Sequence, residues 1–333
     1  MLKHEFAYKR PTGLEEVLAL KKADKSAVYI AGGTDLIPLV KCGLIFPQML
    51  ISLEKIPGLN EMAIVGDSLE IGAMMPLRKL AKLARASDTL TRLPGLTQAA
   101  GLVASPQIQS IGTLGGNLLQ SARCFYFNQT GTWRKGIEAC LKTGGNVCHQ
   151  APAQKICPAP YYSDLAPVLL AAGASVRVYG EEGVVVIPLI ELTKNMSLLG
   201  NGIITHLILP DIANLKTLLF RKRAVRVSID FPLANAALAL HGDGRTQIVI
   251  GAMARVPFFL EKTQAELEAC LKNGRAFSPT EYKMALDEAR TLMRPIREAT
   301  VSPAVKQKAM NAVLFEVIKD LERRLANREI IAY

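Results

Sequence analysis

The segment Ala27-Val28-Tyr29-Ile30-Ala31-Gly32-Gly33-Thr34-Asp35-Leu36 opens with a short apolar run, breaks at two glycines, and returns to apolar character through Ile37, Leu39 and Val40. That pattern reads as a strand, a tight turn and then a helix or extended apolar segment. A strand ending in Gly-Gly lets the backbone approach an anion with no Cβ in the way, and exposed N–H groups supply donors for phosphate oxygens. A second such element, Gly112-Thr113-Leu114-Gly115-Gly116-Asn117, follows an apolar stretch from Gly95 to Ala104 and the pair Ser105-Pro106. Two turns of this kind can grip a pyrophosphate from both sides. Neither has the G-x-G-x-x-G spacing of a Rossmann unit, so the argument does not extend to NAD. Each turn taken alone is more often the mark of an ordinary tight turn.

Outward from these turns, Leu50 to Leu53 and Leu69 to Ile71 read as short strands, and Arg78 to Ala86 has helical spacing. Leu165 to Ala174 reads as an apolar helix. Ser175 to Tyr179 with Val184 to Ile187 forms a hairpin pattern, and Ile203 to Leu209, stopped by Pro210, reads as the last strand of a first domain. Leu218 to Phe220, Ala234 to Leu240 and Gln247 to Met253 then suggest a small sheet with a helix or strand between. Helices follow. Ser278-Pro279-Thr280-Glu281 has capping-box form, Ser302-Pro303 repeats a start signal, and Met310, Val313, Leu314, Val317, Ile318, Leu321 and Leu325 make one stripe.

The chain has 333 residues, half of them apolar, which is natural for two domains with packed cores. No apolar run is long enough to cross a membrane, and Met1 to Arg10 alternates charge with aromatic residues, so a cytoplasmic protein is expected, with no membrane partner. The net charge of +11 suits nucleic acid, a membrane, anionic ligands or an acidic protein, and selects none of them. Its one dense basic stretch, Arg221, Lys222, Arg223 and Arg226, lacks the interleaved aromatics of a single-strand binding surface, so no nucleic-acid partner is expected. No Ser/His/Asp or zinc-protease arrangement supports hydrolysis.

Four of the six cysteines, Cys124, Cys140, Cys148 and Cys157, lie in a loop-rich region at about 121–160 that carries the only Trp, Trp133, and no sustained periodicity. A disulfide framework is not expected without a secretion signal, so metal or cluster ligation leads. Four thiolates are the ligand set of an iron-sulfur cluster or a structural zinc. Zinc sites usually use close Cys-x-x-Cys pairs, and this region has none. Pro158 after Cys157 suits a cluster ligand. His149 is a further possible ligand, though a hydrogen-bonding role suits it as well, and Cys42 and Cys270 read as ordinary thiols.

Ala31-Gly32-Gly33-Thr34-Asp35-Leu36 and Ile111 to Leu118 resemble the paired FAD-pyrophosphate motifs of the medium subunit of molybdenum hydroxylases, the xanthine dehydrogenase and carbon monoxide dehydrogenase family. Ser163-Asp164-Leu165-Ala166-Pro167 and Gly251-Ala252-Met253-Ala254-Arg255-Val256-Pro257 are similar to two further elements of that family. The resemblance implies an α+β fold: a two-part FAD-binding domain over 1–213, then a small antiparallel sheet with a helix bundle over 214–333. It implies that Tyr29, Ile30, Ala31, Gly32, Gly33, Thr34, Asp35 and Leu36, with Thr113, Leu114, Gly115, Gly116 and Asn117, line the pyrophosphate. Asp164 would bind a polar part of FAD and Lys222 would contact the flavin; an acid at a helix N-terminus is the ordinary alternative for Asp164.

Asn117 and Asp164 are separated by 46 residues, many more than in most of that family, and the excess is an insertion at about 121–160. It resembles the branch containing the beta subunit of 4-hydroxybenzoyl-CoA reductase, in which four cysteines hold an extra 4Fe-4S cluster. On that resemblance Cys124, Cys140, Cys148 and Cys157 are the ligands and the cofactors are FAD and a 4Fe-4S cluster. A ferredoxin donates electrons, and the partners are a 2Fe-2S subunit and a molybdopterin subunit, which carries the substrate chemistry. No catalytic residue is expected on this chain. The competing expectations are a flavin subunit of a purine or aldehyde hydroxylase, and a zinc-stabilised nucleic-acid-binding or assembly protein.

Overall fold

The computed structural model describes residues 5–83, 91, 93–226, 229–297, 301–327 and 329. The chain begins with a parallel three-stranded sheet. Strand β1 (Ala7–Lys9) and β2 (Val28–Ile30) flank β3 (Met49–Ser52), with α1 (Leu14–Ala23) and α2 (Leu36–Lys41) as the intervening helices. Val17, Leu18, Ala27 and Ile51 close its small core. The glycine turn at 32–33 leaves β2 and enters α2, as the sequence pattern requires.

A five-stranded antiparallel sheet follows, with β4 (Met62–Val65) and β5 (Ser68–Gly72) at one side. Its order is β4-β5-β8-β6-β7, the last three being β6 (Ser175–Gly180), β7 (Gly183–Pro188) and β8 (Ile203–Leu209). Between β5 and β6 the chain makes α3 (Leu77–Lys82), α4 (Pro94–Gly101), α5 (Pro106–Ile111), α6 (Leu114–Leu118), α7 (Gly131–Arg134) and α8 (Leu165–Ala171). The helix expected over Arg78 to Ala86 is seen to Lys82; residues 84–86 lie outside the described ones. Helix α8 stops at Ala171 because Gly173 takes a left-handed φ of +69°. After β7 comes α9 (Leu189–Lys194).

The last sheet is antiparallel, order β12-β11-β10-β9, formed by β9 (Leu215–Arg223), β10 (Ala234–His241), β11 (Thr246–Gly251) and β12 (Phe258–Phe259). Helices α10 (Glu261–Lys272), α11 (Pro279–Leu292) and α12 (Pro303–Ala326) cover one face. The expected stripe on α12 is buried from Met310 to Leu321, with Leu325 packed at its edge. The other face belongs to the main core: Leu218, Phe220, Ala237, Ala239 and Val249 join Leu96, Leu165, Val168 and Leu169. The core is therefore continuous across residue 213.

Candidate functional site

Two glycine turns meet at the mouth of the first sheet. A Cβ on Gly32 would stand 1.8 Å from the Ile111 carbonyl oxygen, so the first turn lies directly against the start of the second. Gly33 has φ +69°, a left-handed conformation that L side chains rarely adopt. Thr113 caps α6, accepting from Gly116 N–H at 3.1 Å. The turns frame a groove of about 270 Å³ whose walls include Tyr29, Ala31, Gly32, Gly33, Thr34, Asp35 and Leu36 from one side, and Thr113, Gly115 and Gly116 from the other. Burial pushes the Tyr29 hydroxyl up to about 12, with Glu181 adding to it, and that hydroxyl donates to the Asn201 carbonyl at 2.6 Å.

Other residues expected here play a different part. The amides of Leu114 and Gly115 donate to the carbonyls of Met75 and Ala73, at 3.0 and 2.8 Å. Those donors hold the turn against the end of β5 rather than facing the groove. Ile30, Leu114 and Asn117 lie behind the groove wall; Asn117 Oδ1 accepts from Ser163 Oγ at 2.6 Å, which ties the second turn to the head of α8. Asp164 is 3% exposed and its carboxylate is shared between Lys222 Nζ at 2.6 Å and Asn235 Nδ2 at 2.8 Å. Burial pushes its pKa up against the pull of those two groups. Lys222 also donates to the Leu102 carbonyl at 2.9 Å and lines a separate cavity of about 450 Å³ with Leu102, Ala104, Pro106 and Gln109. Asp164 and Lys222 thus meet each other, away from the groove between the turns.

The rest of the basic run is also paired. Arg221 contacts Asp320, Arg223 contacts Glu316, and Arg226 reaches Asp230 at 3.3 Å. Each cation of the run thus has an acidic partner.

The cysteine insertion is a short-turn structure built by local hydrogen bonds. Cys140 heads a 3₁₀ turn, Leu141–Thr143, its N–H donating to Thr143 Oγ1 at 3.0 Å, and Gly144 reverses the chain with φ +87°. Asn128 Oδ1 accepts from Cys124 N–H at 2.9 Å, and Cys124 Sγ accepts from Phe127 N–H at 3.3 Å. These turns bring Cys124, Cys140, Cys148 and Cys157 to the lining of one cavity with about 20 Å³ of free space, together with Lys142 and Pro158. All four are free thiols. No three of their sulfurs lie within 4.8 Å of one another, whereas thiolates around a single zinc stand about 3.8 Å apart at Zn–S 2.3 Å. Burial pushes the Cys124 thiol up and the Lys142 ammonium down. His149 lines the same cavity; its Nε2 is 2.8 Å from the Glu138 carbonyl and its ring stacks on Tyr126.

Insertion and glycine turn are clamped together. Arg123, next to Cys124, pairs with Asp35 at 2.6 Å, and its guanidinium lies 4.7 Å from the Phe231 ring centre. Arg134 Nη2 donates to Gly43 O at 2.8 Å and Gly131 N–H to Cys42 O at 2.9 Å, fixing α7 beneath the end of α2. Sequence reasoning missed Arg123; its place beside the first cysteine was visible, but its partner lies 88 positions away.

The chain's sequence is similar to the nicotine 6-hydroxylase medium subunit of Paenarthrobacter nicotinovorans, 33% identical over 111 residues, which is 33% of this chain and 38% of that protein. The match thus spans about four tenths of the relative's length. It is also similar to the aldehyde oxidoreductase FAD-binding subunit PaoB of Escherichia coli, 28% identical over 277 residues, covering 79% of this chain and 86% of the relative. The fold superposes on carbon monoxide dehydrogenase from Hydrogenophaga pseudoflava with a TM-score of 0.73 at 22% identity, over 96% of this chain and 98% of that one. The family described as the FAD binding domain in molybdopterin dehydrogenase matches residues 4–212, which take in both glycine turns and the cysteine insertion. The chain belongs to that FAD-binding family.

Proposed function

We propose that the chain is the FAD and 4Fe-4S subunit of a cytoplasmic molybdenum-containing reductase of the 4-hydroxybenzoyl-CoA reductase type. The observation that carries this reading is the convergence of Cys124, Cys140, Cys148 and Cys157 on one cavity, in an insertion ion-paired to the first glycine turn. Both cofactors fit the residues present. Gly32 lets the two turns touch, Gly33 supplies a left-handed backbone, Thr34 and Thr113 line the groove, and four soft thiols in a region without close Cys-x-x-Cys pairs suit iron-sulfur ligation. When bound, FAD and the cluster supply electron transfer between a ferredoxin and partner subunits bearing 2Fe-2S centres and molybdopterin. The chain's own residues bind and orient. Tyr29 and Leu36 wall the groove, Arg123 holds Asp35 and the Cys124 segment in register, and Lys222 with Asp164 fixes the approach of β9 to α8. By this reading Lys222 also presents its cavity to the flavin end of the cofactor.

Anaerobic purification with assay of FAD, iron and acid-labile sulfide tests the proposal. Four irons and four sulfides with one FAD per chain are expected, and Cys140→Ser or Cys148→Ser lowers the iron. Undiminished iron in single variants of all four cysteines sinks the ligand assignment. A second reading, a flavin subunit of a hydroxylase running electrons outward from molybdenum, is favoured by the names of the two relatives above. A flavin-loaded chain free of iron and sulfide decides for it.

A further inference from the structure

Lys142, with Cys157 and Ala159, lines both the four-cysteine cavity and the neighbouring cleft of about 870 Å³ along Gln120, Ser121 and Arg255. It sits within the turn that Cys140 heads, two positions after the cysteine, and its side chain reaches the Cys124 loop. Its ammonium donates to the Ala122 carbonyl and lies 4.1 Å from the Phe127 ring centre, on the segments just before and after Cys124. It is partly buried, and among the described residues it has no carboxylate partner. Taking an ammonium out of water without a counter-charge is costly. The groups beside it able to carry negative charge are the thiols of Cys157, Cys124 and Cys140 and the Asp35 carboxylate, which Arg123 already holds.

We infer that Lys142 is a positioning residue that sets the electrostatic balance of the cluster, a fixed cation that favours its reduced form. This rests on the 4Fe-4S reading above. Reduction adds one electron and no proton, taking a cube with four thiolates from a net charge of about −2 to about −3. A cation at fixed distance stabilises the more negative state more, so it raises the midpoint potential. It also bridges two ligand-bearing segments, the Cys140 turn and the Cys124 loop.

The test uses the anaerobically purified, cofactor-loaded chain, its Lys142→Gln variant and its Lys142→Arg variant. Iron, sulfide and FAD are assayed, and the cluster is titrated with dithionite in the presence of mediators, its reduced signal followed by electron paramagnetic resonance. With iron and FAD retained, Lys142→Gln is expected to shift the cluster midpoint to more negative potential, leaving the flavin midpoint in place, and Lys142→Arg to restore it. If Lys142→Gln assembles no cluster, Lys142→Arg must still assemble one; loss of iron in both variants alike overturns the assignment to charge. An unmoved midpoint in an iron-replete Lys142→Gln chain overturns Lys142 alone. A wild-type chain without iron and sulfide overturns the cluster reading, and the Lys142 assignment with it.

Discussion

A methyl group on Gly32 would collide with backbone at 1.8 Å, whereas one on Gly33 would meet only Ile30 and Ile37 side-chain carbons, at 3.1 and 3.3 Å. The two glycines therefore fail for different reasons when replaced. Gly32→Ala must push the glycine turns apart, so both thermal stability and FAD content are expected to fall. Gly33→Ala keeps the contact and suffers from its left-handed backbone, a cost of about 1–2 kcal/mol, which Gly33→Asn should largely spare. Thermal melts and flavin content of the three variants check this; equal behaviour of Gly32→Ala and Gly33→Asn would refute the distinction. The pairing of the turns was legible because glycine pairs after apolar runs mark close backbone approach. What each amide bonds to was not, since Leu114 and Gly115 find acceptors nearly forty positions upstream. Asp164 and Lys222 are expected from the resemblance to contact FAD, and their mutual pairing across 58 positions could not be read from either neighbourhood.

Among elements, α11 shows the most complete agreement between sequence and structure. Ser278 accepts from Thr280 N–H, and Glu281 reaches back to accept from Ser278 N–H at 2.6 Å and from Arg275 at 2.6 Å. Ser278→Ala should cost about 1 kcal/mol in a denaturant titration. Glu281 is held down to about 2, by the Ser278 hydroxyl first and then Arg275, from an ordinary 4.5. A carboxyl depressed in the folded state stabilises it at pH values above the ordinary one, and that contribution fades as pH falls from about 4.5 toward 2. The difference in denaturation midpoint between wild type and Glu281→Gln should therefore close over that range; a constant difference would contradict it. Strand β10 was harder to read. Every residue from Ala234 to His241 is buried, because helices cover both faces of its sheet, so the alternation that marks a half-exposed strand is missing. The cysteine insertion was legible as a loop-rich stretch without periodicity, but its docking through Arg134 and Gly131 under α2 depends on carbonyls some ninety positions away, which no local pattern records.

On the scale of the whole molecule, the sheet of β9 to β12 is shared property. Leu219, Ala236, Leu238 and Ile248 face the C-terminal helices, while Leu218, Phe220, Ala237 and Val249 complete the core that carries the glycine turns. A fragment ending at residue 213 would expose the faces of α4 and α8, losing partners worth about 1.5–3 kcal/mol for each large side chain. It is expected to lack a near-ultraviolet circular dichroism signal and to retain no FAD; a native-like, flavin-loaded fragment would show that the two halves fold independently. The succession of a small sheet and then helices after Pro210 was legible from local patterning, but a core that runs across residue 213 cannot be seen in a linear pattern. No described helix is long and apolar enough to cross a membrane. One last feature concerns the insertion's ends: Arg123 N–H reaches the Pro160 carbonyl at 3.2 Å, and Ser163 reaches back to Asn117 at 2.6 Å. Entry and exit of the cysteine loop thus stand side by side on an otherwise finished scaffold. Such a doorway means that a few residues would suffice to close the gap if the whole loop were removed, leaving the surrounding strands and helices in place.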